Sequence, residues 1–205
     1  MEAASPSREL TGDKAQRIVD AMRTSVGLRG ATGSTFDHVA REAGVSRGLL
    51  HYYFGTKERL LVEVVRRDCD LRMARLSETL AGVDGADALL ATLAQSLTET
   101  VEETPEFFVI LLELHTLARR NEEIAAEVAE LHRRVREHLA GLLTAARDAG
   151  VIRLAGEPDA VSEVLFALAD GLAMRMLAEP ARDYSGALAT AITAARALVL
   201  PADRR

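Results

Sequence analysis

The sequence predicts an all-α protein, and two observations support this prediction. Apolar residues recur at the three- and four-residue spacing of amphipathic helices along almost the whole chain. No run of strand-like alternation is bracketed by hairpin turns. With 205 residues, 48% of them hydrophobic, the chain can bury a substantial core. We therefore expect a small N-terminal helical domain followed by a larger helical domain.

The first helix should span residue 13 to about 28, after a tail of residues 1–11 that we expect to be disordered. Its buried face should consist of apolar residues at four-residue spacing, namely Ile18, Met22 and Val26. The stretch RGATGS is predicted to end this helix in a loop. Ser34 or Thr35 can then cap a short second helix, whose apolar side carries Phe36, Val39, Ala40 and Ala43.

A sharp turn follows the second helix. Gly44 can adopt positive φ and reverse the chain, and Val45 fills the corner. Ser46 is placed to cap a third short helix, in which Leu50 and Tyr53 face inward. At about 100° per residue, the opposite, outward arc of this helix receives Arg47, Gly48, His51 and Tyr52, with Leu49 at its border. Two short helices joined in this way form a helix-turn-helix.

The rest of the chain is predicted to form six longer helices. Thr56 should cap the first of them, which ends near Gly82 and directs six apolar residues toward a core: Leu60, Leu61, Val64, Val65, Leu71 and Leu76. The other five helices fit about residues 86–102, 105–119, 121–149, 158–178 and 184–199, separated by turn-forming stretches.

The outward arc of the third helix carries the groups that reading DNA requires. Arg47, His51 and Tyr52 supply hydrogen-bond donors and flat rings, and Gly48 lets the backbone come close to a phosphate or a base edge. Lys57 stands at the start of the next helix, where free backbone N–H groups already favour a phosphate. Although the whole chain has a net charge of −6, residues 1–58 hold 8 basic and 7 acidic side chains. These features favour a DNA-binding surface over a helical hairpin whose polar side faces water.

Residues 35–61, TFDHVAREAGVSRGLLHYYFGTKERLL, resemble the N-terminal signature of the TetR family of bacterial transcriptional regulators. Upstream, RIVDAMRTSV is similar to the first helix of the family, and RGATGSTFDHVA is similar to its link into the second helix. The chain departs from the family where members usually carry aromatic residues: Val26 and Ala31 replace aromatics, and His51 replaces a tyrosine. Beyond residue 86 the chain resembles the general helix plan of the family.

The resemblance implies a DNA-binding domain at residues 12–58 and a helical effector-binding and dimerisation domain at residues 59–205. It implies DNA contacts at nine positions: Thr35, Ser46, Arg47, Gly48, Leu49, His51, Tyr52, Tyr53 and Lys57. The expected base readers among them are Arg47, Gly48, Leu49 and Tyr52. Thr35 and Lys57 match phosphate-facing positions. Members of the family are dimers, usually repressors that bind a palindromic operator and release it when a small molecule enters the C-terminal core.

A small-molecule pocket is predicted among the later helices. Its apolar walls would come from Phe107, Phe108, Leu111, Phe166, Leu168 and Met174. The polar groups that could orient a ligand there are Glu113, His115, Asp170 and Arg175. Asp170 is the strongest polar candidate, because a carboxylate inside an apolar helix needs a partner. Another helix could equally supply that partner.

The helices at 158–178 and 184–199 are predicted to form a homodimer by pairing across a two-fold axis as a four-helix interface. The packing residues expected on one side of the first of these helices are Val161, Leu165, Leu168 and Leu172. Ala169 and Ala173 should allow the helices to approach closely.

Other classes of site are disfavoured. The single cysteine, Cys69, excludes an internal disulfide, and none of the five histidines has a glutamate three residues before it, as di-iron bundles require. The stretch GLRGATG has no phosphate-loop lysine. We therefore predict no metal, cofactor or catalytic site, and short apolar runs with a polar N-terminus indicate a cytoplasmic protein. The alternative is a helical small-molecule-binding protein or enzyme whose N-terminal helices are only structural.

Overall fold

The computed structural model describes residues 13–202, so the predicted tail at residues 1–11 lies outside the described residues. The described chain is almost entirely helical, as predicted. Its elements in order are α1 (Asp13–Gly33), α2 (Phe36–Ala43), α3 (Arg47–Phe54), α4 (Lys57–Leu80), α5 (Ala86–Glu103), α6 (Glu106–Ala118), α7 (Glu122–Asp148), β1 (Ile152–Leu154), α8 (Pro158–Ala178), α9 (Ser185–Ala195) and β2 (Val199–Pro201).

The described chain divides into two compact units. The first comprises residues 13–68 and 109–129, and the second comprises residues 69–108 and 130–202. Helices α4, α6 and α7 therefore contribute residues to both units. The predicted domain boundary between residues 58 and 59 falls in the first turn of α4, and it stays a prediction about where the DNA-binding part ends.

The first unit buries one face of each of its N-terminal helices. Its fully buried side chains include Ile18 and Met22 on α1, Val39 on α2, Leu50 on α3, and Leu60, Leu61, Val64 and Val65 on α4. An ion pair lies at the edge of this core, where the Arg23 guanidinium donates to the carboxylate of Asp68, which is only 5% exposed. The apolar periodicity of α1 to α4 thus produces the core that the sequence predicts.

Helix α1 is longer than predicted. Helical hydrogen bonding continues to Gly33, although Gly30 interrupts the helical dihedral angles with a φ of 70°. The Ser34 hydroxyl donates to the Gly30 carbonyl at 2.9 Å and stabilises the chain just after this kink. The glycines were expected to end the helix, but a glycine can also accommodate a kink inside one.

The second unit packs α5, α7, α8 and α9 around an apolar cluster. Its buried members are Ala86, Leu89, Leu90, Leu139, Leu143, Ile152, Val161, Leu165, Ala195 and Val199. Strands β1 and β2 pair antiparallel, with Arg153 opposite Leu200. The sequence predicts neither strand, and α9 ends at Ala195 and not near residue 199. Three residues are too few to show a strand period, so the sequence pattern there is that of a loop and a helix end.

Two further expectations about packing are wrong. Leu71 was predicted to face a core, but it is 54% exposed, because helical periodicity does not reveal how far along a helix its neighbours extend. Val161, Leu165 and Ala173 were predicted to form a dimer face, but all three are buried inside the second unit. Within residues 13–202, no helix combines the length and apolar character needed to cross a membrane.

Candidate nucleic-acid interface

Helices α2 and α3 form a helix-turn-helix whose ends are capped by side chains. The Thr35 hydroxyl accepts a hydrogen bond from the His38 backbone N–H at 3.4 Å, and the Ser46 hydroxyl accepts one from the Leu49 N–H at 3.2 Å. Between the helices, Gly44 adopts a left-handed conformation with φ 64°. A side chain at this φ is strained, so the turn depends on glycine. The sequence therefore dictates the geometry of this motif locally.

Helix α3 has one buried and one exposed side. Leu50 and Phe54 are buried, whereas Arg47, Gly48, His51 and Tyr52 are exposed, as the outward arc predicted. Leu49 and Tyr53 are half-buried at the borders. Phe54 was not singled out in the sequence, although it lies four residues after Leu50 and shares its face. The exposed side is available to a partner, and its contact with DNA stays a prediction.

Arg47 is held in place by two side chains. Its Nη1 donates to both carboxylate oxygens of Asp37 at 3.3 and 3.2 Å, and its Nε donates to Nε2 of His51 at 3.3 Å. Nδ1 of His51 lies 3.3 Å from the Gly55 carbonyl, which can only accept, so the ring proton belongs on Nδ1. The ring of Phe36 meets the His51 imidazole edge to face at 4.8 Å. These contacts link Arg47 to α2 and to the next turn of α3.

Gly48 is not required by the fold. It lies inside α3 without a positive φ, and a Cβ built on it meets no atom within 4 Å. A glycine in a helix interior normally costs about 0.5 to 1 kcal/mol of stability relative to alanine. No packing or dihedral constraint within the chain therefore requires a glycine at this position.

Tyr52 adds a large aromatic surface next to Gly48. Tyr52 is 58% exposed, and its ring packs edge to face against the ring of Tyr53, with the two ring centres 5.0 Å apart. Tyrosine is enriched at binding interfaces because it combines an apolar ring with a polar hydroxyl. Tyr52 therefore belongs to the same candidate interface as Arg47 and Gly48.

Lys57 has a structural role in addition to the predicted one. Its ammonium donates to the carbonyls of Ala31 and Thr32 at 3.1 and 3.5 Å, which links the start of α4 to the end of α1. An ammonium has three donors, so one remains for a phosphate. Thr56 caps α4 as predicted, since its hydroxyl accepts from the Arg59 backbone N–H at 3.2 Å.

The residues predicted to contact a ligand differ in burial and in packing. Phe107 and Phe108 are buried and pack edge to face at 5.1 Å, and Phe166 packs against the apolar cluster of the second unit. Asp170 and Leu111 are half-buried, whereas His115 and Met174 are exposed. Nδ1 of His115 lies 2.7 Å from the Leu111 carbonyl, one turn earlier in α6. A shared role of these residues in ligand binding stays a prediction.

Asp37 lies at the candidate interface, although the sequence does not predict it there. Asp37 lies in the first turn of α2, ten residues before Arg47, and no helical period connects the two positions. An acidic residue in a first turn also has an ordinary explanation, since it interacts favourably with the helix dipole. Within residues 13–202, no group of three or more His, Cys, Asp or Glu side chains is placed to hold a metal ion.

Two family models match the chain. Residues 18–64 match the model described as bacterial regulatory proteins, tetR family, and residues 85–199 match the BetI-type transcriptional repressor, C-terminal. A curated relative, the HTH-type transcriptional regulator BetI of Agrobacterium fabrum, is 33% identical over 161 residues, which cover 77% of this chain and 74% of BetI.

Solved structures share the fold at lower identity. The regulator FadR from Bacillus subtilis, in complex with stearoyl-CoA, matches with a TM-score of 0.73 at 19% identity. The match covers 88% of this chain and 96% of the FadR chain. A regulator from Saccharomonospora viridis, in complex with choline, has a TM-score of 0.67 at 22% identity, with 89% and 93% covered. Together with the helix-turn-helix and its exposed basic side, the two family matches show that the chain belongs to the TetR family of bacterial transcriptional regulators.

Proposed function

We propose that this TetR-family regulator is a repressor that binds a two-fold symmetric DNA site as a homodimer and releases it when a small molecule binds the C-terminal part. The observation that carries the DNA-binding part is the exposed side of α3. There Arg47 and Tyr52 flank a glycine that the fold itself does not need. A helix that enters the major groove needs both donors for base edges and a place where its backbone can approach.

Each exposed group of the motif has a distinct role in this proposal. Arg47 donates to the acceptors of a guanine, Tyr52 contacts base edges and methyl groups, and Leu49 and Gly48 shape the surface between them. Thr35, Ser46 and Lys57 hold phosphates, because each keeps a donor beyond the bond it makes within the chain. His51 supports Arg47 from the exposed side of α3, and Tyr53 supports Tyr52 from its border.

The homodimer uses the exposed face of α8, and not the face predicted from the sequence. Exposed small or apolar residues recur along α8 at alternating four- and three-residue spacing: Ala160, Val164, Ala167, Gly171, Met174 and Ala178. On α9, exposed Ala187, Thr190 and Ala194 follow the same spacing. This period suits helices that cross at a shallow angle, and small residues allow their backbones to approach. A dimer places two α3 helices about 34 to 36 Å apart, or a multiple of that distance, along the DNA.

The effector binds among the helices of the C-terminal part, and proteins of this fold take chemically unlike molecules. Stearoyl-CoA and choline are bound by the two solved relatives, so the fold alone does not specify the ligand. In this chain the Arg72 guanidinium lies 4.4 Å from the centre of the Phe107 ring. That face of Phe107 is therefore already occupied by a cation, and a quaternary ammonium ligand would have to displace Arg72 to use it.

Release of DNA requires the effector to change the geometry of the reading helices. Helix α4 begins immediately after the helix-turn-helix and contributes residues to both units. A ligand that shifts α4 changes the separation of the two α3 helices, and a palindrome tolerates little change in that separation. A repressor of this kind acts on the chromosome in the cytoplasm and carries out no catalysis.

Selection of bound duplexes from a random DNA pool tests the proposed function. The wild-type chain should enrich a palindromic sequence, and Arg47→Ala or Tyr52→Ala should lose affinity for it by about 1 to 3 kcal/mol per half-site. Titration of small-molecule pools against the complex should then identify a compound that releases the duplex. A chain that enriches no sequence is not a DNA-reading regulator, and the alternative of a helical binding protein or enzyme would replace this proposal.

A further inference from the structure

An acidic side chain lies on the surface that the proposed function presents to DNA. Asp37, on α2, contacts Nη1 of Arg47 with both carboxylate oxygens, at 3.3 and 3.2 Å. A carboxylate near a DNA backbone repels the phosphates, so its presence weakens binding to every sequence. The position of Asp37 therefore calls for a benefit that offsets this repulsion.

Stability of the fold does not supply that benefit. The side chains of Arg47 and Asp37 are 59% and 60% exposed, and ion pairs at such exposure contribute little to folding. The N-terminus of α2 is already capped by the Thr35 hydroxyl. The remaining contribution, between the Asp37 charge and the helix dipole, does not need a contact with Arg47.

The contacts between Asp37 and Arg47 supply the benefit that offsets this repulsion. We propose that Asp37 is a positioning residue for sequence reading, which holds the Arg47 guanidinium in one orientation before DNA binds; this inference rests on the proposed function. An arginine side chain has many rotamers, and a side chain that is already held in one of them loses less conformational entropy on binding. Asp37 holds Nη1 from α2, and His51 holds Nε from the next turn of α3.

The held guanidinium can still recognise a base. Of its five N–H donors, one on Nε points to His51 and one on Nη1 serves Asp37. Nη2 keeps two donors and Nη1 keeps one, which suffices for a bidentate pair with the two acceptors of a guanine. Asp37 thus costs affinity for all DNA and increases the preference for the recognised sequence.

The two effects of Asp37 can be separated by experiment. Loss of its charge raises the affinity for recognised and random duplexes by the same factor, whereas loss of positioning lowers only the affinity for the recognised duplex. The affinities of wild type, Asp37→Ala and Asp37→Asn are measured by fluorescence anisotropy on the duplex that the wild type enriches and on a random duplex, at one salt concentration. Glu42→Ala is the matched control, because Glu42 is an exposed acid on the same helix.

We expect Asp37→Ala to lower the ratio of recognised to random affinity on the order of tenfold, with Asp37→Asn between Asp37→Ala and the wild type. Glu42→Ala should leave the ratio unchanged. In an Arg47→Ala background, Asp37→Ala should cause no further loss, because Asp37 acts through Arg47. An unchanged ratio, with both affinities raised equally, would show that Asp37 is only a repelling charge. An equal loss of ratio in the Arg47→Ala background would show that it acts through another group.

A measurement without DNA tests the positioning directly. The Arg47 Nε–H resonance in the free protein should report a restricted side chain, and Asp37→Ala should mobilise it while Glu42→Ala does not. A freely mobile Arg47 in the wild-type protein would overturn the inference whatever the DNA results. If the wild type enriches no duplex, the proposed function and the reading role of Asp37 both fail. An enriched duplex with an unchanged ratio overturns the role of Asp37 alone.

Discussion

Replacing Gly48 with alanine should stabilise the protein and weaken its binding to DNA. The new methyl group meets no atom of the chain within 4 Å, and the helical φ of residue 48 suits alanine. Gly48 is in the first turn of α3, and the cost of a glycine there is at most that of a glycine in a helix interior, so the free energy of unfolding should rise by up to about 0.5 to 1 kcal/mol. For a chain of this size, that gain corresponds to an increase of roughly 1 to 4 °C in Tm.

The same methyl group should obstruct DNA. If the backbone at residue 48 approaches a phosphate or base edge, the added carbon overfills that contact, and overpacking costs about 1 to 3 kcal/mol at each site. A dimer has two half-sites, so binding should weaken by about 2 to 6 kcal/mol, or roughly 30-fold to more than 10⁴-fold. Thermal denaturation and anisotropy titration with the enriched duplex measure the two effects on the same samples.

Gly141→Ala is the matched control for this prediction. Gly141 is exposed inside α7, and a Cβ there also meets no atom within 4 Å. The control should stabilise the protein by a similar amount and leave DNA affinity unchanged. If Gly48→Ala binds the duplex as tightly as the wild type does, the backbone of α3 does not closely approach DNA, and the explanation of this glycine is wrong.

Three further predictions concern phosphate contact, stability and assembly. Lys57→Ala should weaken binding to recognised and random duplexes by the same factor, and the slope of log affinity against log salt concentration should flatten by about 0.9 per lost contact. Arg47→Ala should mainly reduce the ratio of recognised to random affinity. Equal losses on both duplexes for Arg47→Ala would make that residue a phosphate contact. Asp68→Ala should lower the free energy of unfolding by about 1 to 3 kcal/mol, because Arg23 loses its buried carboxylate partner and keeps the exposed Asp20. A loss below about 1 kcal/mol in urea denaturation would contradict this. Val164→Glu should convert the dimer to a monomer in size-exclusion chromatography with light scattering, because it places a charge in the proposed α8 interface, and an intact dimer would exclude that face.

The helix-turn-helix could be predicted because its signals are local. Thr35 and Ser46 cap helices that begin at the next residue, and Gly44 sits where the chain must adopt positive φ. Each of these features depends on neighbours within four residues, so the sequence alone displays them. The contact between Asp37 and Arg47 was not predictable in this way, because it depends on how α2 and α3 are placed in space.

The buried face of helix α8 could not be predicted from the sequence. It has apolar residues on two faces, one with Val161 and Leu165 and the other with Val164 and Met174. Periodicity identifies each face but does not say which one packs inside the chain and which one remains for a partner. The prediction selected larger side chains for the dimer, whereas two of them, Val161 and Leu165, belong to the core of the second unit. Small residues on the exposed face were the signal that could have corrected it.

Binding to duplex DNA by the exposed side of α3 is the central claim, and selection from a random duplex pool tests it most directly. The wild-type chain and the Arg47→Ala, Tyr52→Ala double variant are taken through the same selection, with thermal denaturation to show that both are folded. The wild type should enrich one palindromic sequence, and the double variant should enrich none. Enrichment of the same palindrome by the double variant would show that another surface reads the DNA, and the absence of enrichment by the wild type would contradict the account as a whole.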